Sequence, residues 1–223
     1  MRIALGLLLT CLVPSFVRAA APPDGISIRI LDATGKVVEQ ATARTPEEEA
    51  TLRTAREYQP GDVIRVDGPR HLWFRLSPSM PEALVFCPAG RYEFPVPFGA
   101  EAKAFDRFAA QRRKITARPA SPADLAAVRN LALNPYDSLQ NTAAFPHART
   151  NNVCRNEPIF AARNALDGQT KNAGHGAWPF QSWGPDQKGG LWWKVEFGRE
   201  VEVERLAVTL RADVPHDKFF QGA

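Results

Sequence analysis

The stretch that decides the fold of this 223-residue chain runs from residue 164 to residue 217 and reads NALDGQTKNAGHGAWPFQSWGPDQKGGLWWKVEFGREVEVERLAVTLRADVPHD. Residues 191–197 and 201–210 both alternate large apolar with polar side chains, a pattern typical of half-buried β-strands. Gly198 and Arg199 lie between these runs and predict the turn that joins them. The stretch contains no nucleophile elbow, phosphate loop or zinc-ligand spacing. It therefore indicates a β-rich block that binds a ligand without transforming it.

The amino terminus predicts export. Residues 1–19 combine a basic Arg2 with an apolar run over residues 3–13 and small residues at Val17 and Ala19, which is typical of a secretory signal peptide cleaved after Ala19. The apolar run is shorter than the roughly 20 residues that span a bilayer. We therefore expect a secreted or periplasmic protein without a membrane span.

Composition limits the architecture and the partners. A chain of 223 residues with 44% hydrophobic residues can bury one large or two small cores. Its formal charge of +4 falls to +2 when Arg2 and Arg18 leave with the signal peptide, which gives no support for a nucleic-acid partner. Cys87 and Cys154 either pair in an oxidising compartment or remain two thiols that behave as small hydrophobes.

Residues 24–113 predict a small β module with helices. Residues 26–31 and 36–38 flank an Asp-Ala-Thr-Gly turn and predict a hairpin. A capping threonine, a proline and a glutamate at positions 45, 46 and 48 predict a helix over residues 45–58. Further strands are predicted over residues 63–66, 72–76, 83–86 and 92–96, and a second helix over residues 101–113.

Residues 114–129 predict a linker followed by a short helix. Residues 117–122 contain prolines and no large apolar side chain, which favours a connection between domains. Ser121 is placed to cap a helix that begins at Pro122. A second domain then occupies residues 130–223.

The second domain resembles a bacterial group of exported galactose-binding-like modules, which are relatives of discoidin or F5/8 type C domains and of carbohydrate-binding modules with that fold. The matching phrases, in order, are NLALNPYD, PHARTN, FAARNALDG, HGAWPFQSWG, WWKVEFGREVEVERLAV and RADVPHD. The phrases YQPGD and FPVPFG in the first module are similar to the leader domain of such proteins. The resemblance covers nearly the whole mature chain, and its functional content concerns the second domain.

The resemblance implies a fold and a metal. It implies an eight-stranded jelly-roll β-sandwich, and residues 130–223 are fewer than such a module needs. We therefore expect either a truncated product or a partner that covers the open sheet edges. It also implies a structural calcium ion held by Asp167, with Thr170 nearby. The alternative for Asp167-Gly168 is an ordinary hairpin turn without an ion.

Several residues are candidates for sugar contacts. Trp178 lies among glycine and proline residues and is expected to offer an open aromatic face on which a sugar ring can stack. Trp192 and Trp193 are adjacent in one strand, so one must face the core and the other must face outward. The mixed donors and acceptors that sugar hydroxyls need are predicted at His147, His175, Arg211, Asp213, His216 and Asp217.

Two of these assignments keep alternatives. Arg211 and Asp213 could form a buried ion pair instead of contacting a ligand. His147, His175 and Asp217 could hold a transition metal, although their spacing is long and irregular.

The sequence thus predicts a mainly β, exported protein that binds carbohydrate through its second domain and has no catalytic activity. Two alternatives stay open. One is a protein-interaction or surface-assembly module whose exposed strands pair with another chain. The other is an accessory fragment of a larger glycan-degrading enzyme.

Overall fold

The protein is mainly β. The computed structural model describes residues 25–106, 113–141, 143–170 and 176–210. These residues form ten strands in three antiparallel sheets, together with one short α-helix and several 3-10 turns. No helix among them is long and apolar enough to cross a membrane.

Two four-stranded sheets make the N-terminal β-sandwich. The first sheet has the order β2-β1-β4-β7 and the second the order β3-β8-β5-β6. The strands are β1 Ser27–Leu31, β2 Val37–Thr42, β3 Ala50–Thr54, β4 Val63–Asp67, β5 His71–Arg75, β6 Ala83–Phe86, β7 Arg91–Pro95 and β8 Arg113–Pro119.

The core lies between these sheets because alternate residues of each strand point inward. Ile28 and Ile64 of the first sheet and Phe74 and Ile115 of the second are all 0% exposed. The rings of Phe74 and Tyr92, which belong to opposite sheets, lie 4.5 Å apart between centroids. Burying each such side chain contributes roughly 1.5–3 kcal/mol, so this interface dominates the stability of the sandwich.

The predicted hairpin at the start of the sandwich is confirmed. The Asp32 carboxylate accepts hydrogen bonds from the backbone N–H groups of Thr34 and Lys36, at 2.9 and 3.1 Å. Gly35 adopts a φ of +82°, which glycine reaches without steric cost. The four later strands of the module also form close to their predicted positions.

The predicted helix over residues 45–58 is wrong. Residues 50–54 form β3, which pairs with β8 and buries Ala50, Leu52 and Thr54 on alternate positions. The capping residues make only a local turn, in which the Glu48 N–H donates to the Thr45 carbonyl. Burial of every second side chain against the core outweighed the local helix signals.

Residues 114–119 are a strand, so the predicted linker is wrong as well. β8 is an inner strand of its sheet, paired with both β3 and β5, and Ala117 is 1% exposed. The helix predicted over residues 101–113 reduces to a 3-10 turn at Glu101–Ala104, while residues 107–112 lie outside the described part. The short helix is confirmed as α1 Pro122–Ala126, with a capping box between Ser121 and Asp124.

The second block begins packed against the sandwich. Tyr136 is 0% exposed, its hydroxyl donates to the Pro81 carbonyl at 3.0 Å, and its own carbonyl accepts from the Tyr92 hydroxyl. Phe145 forms a backbone bridge with Phe86 of β6. Tyr136 and Ala144 belong to the hydrophobic core of the sandwich, so this part of the second block extends that core.

The strand pair of the second block is β9 His147–Thr150 and β10 Trp193–Glu196. Gly198 follows β10 with a φ of +66° and lies so close to the Phe145 ring that a side chain would clash. Residues 198 and 199 form a bend here, but not the predicted turn between two strands. The strand expected over residues 201–210 is absent, since these residues form neither helix nor strand. The eight-stranded jelly roll stays a prediction.

The two cysteines of the described chain are free thiols, so the disulfide alternative is wrong in this structure. Cys87 is fully buried, and burial raises the pKa of its thiol to about 12. Cys154 is partly exposed.

Candidate functional site

A buried polar cluster ties the second block together. Asp137 and His147 are 2% and 1% exposed, and the Asp137 Oδ1 lies 2.7 Å from the His147 Nδ1. The other oxygen of Asp137 accepts from the Ala148 N–H at 2.9 Å. Both groups are thus turned into the protein, and the prediction that His147 contacts a sugar is contradicted by its burial.

Arg163 joins three separate parts of the chain in the same interior. Its guanidinium donates to the carbonyls of Asp137 at 2.7 Å and Ala104 at 3.0 Å, and also to the Pro135 carbonyl. The side chain is 3% exposed, and burial lowers its pKa. Because each bond satisfies a backbone acceptor, Arg163 is a structural element of the interior.

Asp167 is the residue implied for calcium, and it is 1% exposed. Its two carboxylate oxygens accept from the Gln169 N–H at 2.7 Å and from the Gln181 Nε2 at 2.6 Å. Burial raises the pKa of Asp167 to about 6, against the opposing effect of these hydrogen bonds and of Arg163. An ionised carboxylate is therefore costly at this position.

The surroundings of Asp167 fit an oxygen-ligated cation in part. The Gln181 side chain faces the carboxylate with its Nε2, and its Oε1 is buried and has no hydrogen-bond partner. With the amide turned over, this oxygen would be a second hard ligand. Thr170, the other implied ligand, is exposed. Across the described residues, no three His, Cys, Asp or Glu side chains come together to hold a metal ion.

The other predicted contacts are placed as follows. Trp178 is half-buried and packs against the sandwich core, and its backbone N–H donates to the Lys103 carbonyl at 2.8 Å. Trp178 therefore packs between the two blocks and does not offer the open aromatic face that the sequence predicts. The remaining candidates lie outside the described residues, namely His175, Arg211, Asp213, His216 and Asp217.

The structure confirms that the adjacent tryptophans face opposite ways. Trp193 packs on Ala148 and Leu166, and its Nε1 donates to the Ala162 carbonyl at 3.1 Å. Trp192 is 45% exposed. The open aromatic face therefore belongs to Trp192, at the start of the ribbon.

Polar side chains hold Trp192 in place. The Asn151 side-chain amide accepts from the backbone N–H of Trp192 at 3.1 Å and donates to the Gly190 carbonyl at 2.7 Å. The Asn152 Nδ2 donates to Asp186 at 3.0 Å, and the Lys194 ammonium lies 5.8 Å from the centre of the Trp192 ring. We name this set the Trp192 surface: Asn151, Asn152, Asp186, Trp192 and Lys194.

Sequence reasoning missed the polar members of the Trp192 surface. Lys194 belongs to β10, whereas Asn151, Asn152 and Asp186 come from loops. The approach of these loops depends on the pairing of β9 with β10, which brings residue 150 opposite residue 193. The available signal was the strand alternation that turns Trp192 away from the core.

Comparison of the chain with protein-family models, with curated proteins and with solved structures finds no match.

Proposed function

We propose that this protein is a non-catalytic carbohydrate-binding protein and that the Trp192 surface contacts the sugar. The observation that carries the proposal is that Trp192 is 45% exposed although its backbone C=O and N–H are held by the side chains of Thr150, the last residue of β9, and of Asn151. An aromatic ring that faces solvent from a fixed backbone position can stack against the C–H face of a sugar, and no backbone ordering has to accompany binding.

The polar groups of this surface suit sugar hydroxyls, which both donate and accept hydrogen bonds. Asn151 and Asn152 offer amides, Asp186 offers a carboxylate, and Lys194 offers an ammonium group. All lie on or beside the rigid ribbon of β9 and β10. The surface thus combines one apolar wall with convergent polar groups, as sugar sites require.

Two carboxyl groups argue against glycoside hydrolysis there: Asp186 of this surface and Glu196 beside it, which pairs with Lys194 at 2.7 Å. A glycosidase needs one carboxyl group whose pKa is raised so that it can donate a proton. The hydrogen bond from Asn152 lowers the pKa of Asp186, and the Lys194 ammonium lowers the pKa of Glu196. Both groups are thus held ionised, which favours binding without catalysis.

The experiment is affinity electrophoresis of the purified chain through gels that contain different neutral polysaccharides. Trp192→Ala should lower the affinity for the polysaccharide that slows migration of the wild type by about tenfold or more, since one stacked aromatic contributes roughly 1–2 kcal/mol. Phe180→Ala removes another exposed aromatic, at 37% exposure, and should leave binding unchanged. Equal binding by wild type and Trp192→Ala would rule out this site.

We further propose export and a calcium ion for the same protein. The signal-peptide pattern of residues 1–19 supports export. The buried Asp167 carboxylate and the unpartnered Gln181 Oε1 support a calcium ion, whose charge would offset the cost of burying the carboxylate.

Residues 201–210 support a second candidate function, self-association through strand pairing. Val203, Leu206, Val208 and Leu210 are 46–81% exposed in a segment that belongs to no sheet. Two copies aligned antiparallel about residues 204 and 205 would place Glu204 opposite Arg205 and Val203 opposite Leu206. The segment is thus complementary to itself, so the proposed partner is a second copy of this chain.

Light scattering coupled to gel filtration tests this self-association. Wild type should show a dimer whose population rises with concentration, and Leu206→Glu/Val208→Glu should weaken dimerisation by about tenfold or more. Val128→Glu changes an equally exposed apolar residue elsewhere, at 87% exposure, and should leave the dimer intact. A monomer at all concentrations would refute the pairing.

A further inference from the structure

A separate surface on the N-terminal sandwich has the composition of an anion site. A depression of about 470 Å³ is lined by Arg53, Thr54, Ala55, Pro78, Arg113 and Lys114. Three of these six residues are cationic and none carries a carboxylate. We name it the basic depression.

Two of the cations are forced together by the sheet. Arg53 of β3 and Lys114 of β8 are directly opposite in the antiparallel register. Both point outward, because their neighbours Leu52 and Ile115 are buried in the core. Like charges directly opposite in a sheet are destabilising, so this pair is not explained by the stability of the fold.

Counter-charges near this pair are few. The Glu49 Oε1 lies 3.9 Å from the Lys114 Nζ, which is beyond hydrogen-bond distance. Arg53 forms no ion pair within the described ranges of the chain. The cross-strand pair therefore keeps free donors toward solvent.

Arg113 adds a fixed positive charge beside the pair. It is 3% exposed, and its guanidinium lies 5.6 Å from the centre of the Tyr58 ring. Asp106, which attracts Arg113 electrostatically, accepts hydrogen bonds from Ser77 and Ser79 and does not line the depression. Glu49 and Asp106 offset part of this positive charge from outside the depression, and the residues that line it contribute three cations and no carboxylate.

We propose that the basic depression binds a sulfate ester carried on a polysaccharide. An oxyanion between Arg53 and Lys114 would accept charge-assisted hydrogen bonds from both and would relieve their repulsion. Free sulfate and phosphate share this chemistry, but about 470 Å³ is much larger than one inorganic ion and leaves room for the sugar that bears it. The site does not depend on the Trp192 surface.

Titration calorimetry of the full chain with dextran sulfate, and with unmodified dextran as the neutral control, tests the proposal. Arg53→Gln/Lys114→Gln should lose about tenfold or more in affinity for dextran sulfate. Lys36→Gln/Arg44→Gln removes two exposed cations outside the depression and should bind like wild type. Without polyanion, the first double variant should melt no lower than wild type, because it loses a repulsive pair.

Three results would overturn the proposal. Equal weakening in the two double variants would show only general attraction to a cationic protein. Loss of dextran sulfate binding in Trp192→Ala, with full binding in Arg53→Gln/Lys114→Gln, would move the ligand to the Trp192 surface. Sodium sulfate that binds as tightly as the polymer at equal sulfate concentration would make a free anion the ligand.

Discussion

Replacing Asp167 with Asn is expected to raise the free energy of unfolding by about 1–3 kcal/mol at pH 7.5 in EDTA. The reason is the buried carboxylate, whose pKa rises from the usual 3.8 to about 6 because burial disfavours its charge. That difference corresponds to about 3 kcal/mol at roughly 1.4 kcal/mol for each pH unit. The asparagine can still accept from the Gln169 N–H. Its NH2 group replaces the oxygen that accepts from the Gln181 Nε2, so the Gln181 amide has to turn over and accept through its unpartnered Oε1.

The pH dependence of this effect has a definite sign. The folded state binds the Asp167 proton more tightly than the unfolded state, so the contribution of this carboxyl group to stability is complete below about pH 4 and is lost as the pH rises to about 6. Urea unfolding of wild type and Asp167→Asn between pH 4 and pH 7.5 measures this. The advantage of the variant should grow with pH and level off above pH 6. Identical pH profiles would contradict a raised pKa.

The melting temperatures of wild type and Asp167→Asn in calcium and in EDTA test the proposed calcium ion. If the ion binds at Asp167, 1 mM calcium should raise the melting temperature of wild type and leave Asp167→Asn unchanged, because a ligand that binds only the folded state stabilises it. An unchanged melting temperature of wild type in calcium and in EDTA would rule out the ion.

Replacing Arg163 with Met is expected to lower the free energy of unfolding by about 3–5 kcal/mol. The change leaves the carbonyls of Ala104, Pro135 and Asp137 without their donor in the interior. It also removes the positive charge that partly offsets the buried Asp167 carboxylate. Urea unfolding at pH 7 measures the loss.

Arg155→Met is the matched control for this prediction. The Arg155 side chain is 61% exposed. It pairs with the neighbouring Glu157, donates to the Cys154 Sγ and lies 5.2 Å from the centre of the Phe160 ring. Because these contacts are at the surface, its replacement should change stability by less than about 1 kcal/mol. Similar small effects for both variants would show that Arg163 does not hold the two blocks together.

The strands of the sandwich could be predicted because their signals are local. The turn from Asp32 to Gly35 and the alternating runs around Ile64 and Phe74 are visible in the sequence, and no other local pattern competes with them. β3 could not be predicted, because its helix-capping residues are local and its pairing with β8 is not. β8 was mistaken for a linker for the same reason, since its partners β3 and β5 are distant in sequence.

The candidate site was only half predictable. The alternation of Trp192 and Trp193 fixed their opposite directions, whereas the burial of His147 depends on Asp137, ten residues earlier. Trp178 lies in a glycine- and proline-rich loop that looks open, yet it packs against the sandwich core. A loop residue's exposure depends on what the loop lies against, which strand patterns do not reveal.

The most direct test of carbohydrate binding at the Trp192 surface is an NMR titration with the polysaccharide that slows migration in affinity electrophoresis. The titration follows the indole N–H signals of the five tryptophans. Assignments come from single Trp→Phe variants. The Trp192 signal is expected to shift in proportion to bound sugar, while the signal of Trp73, whose Nε1 is buried, stays in place. A glycan that binds and shifts Trp178 or Trp183 but leaves Trp192 unmoved would contradict it.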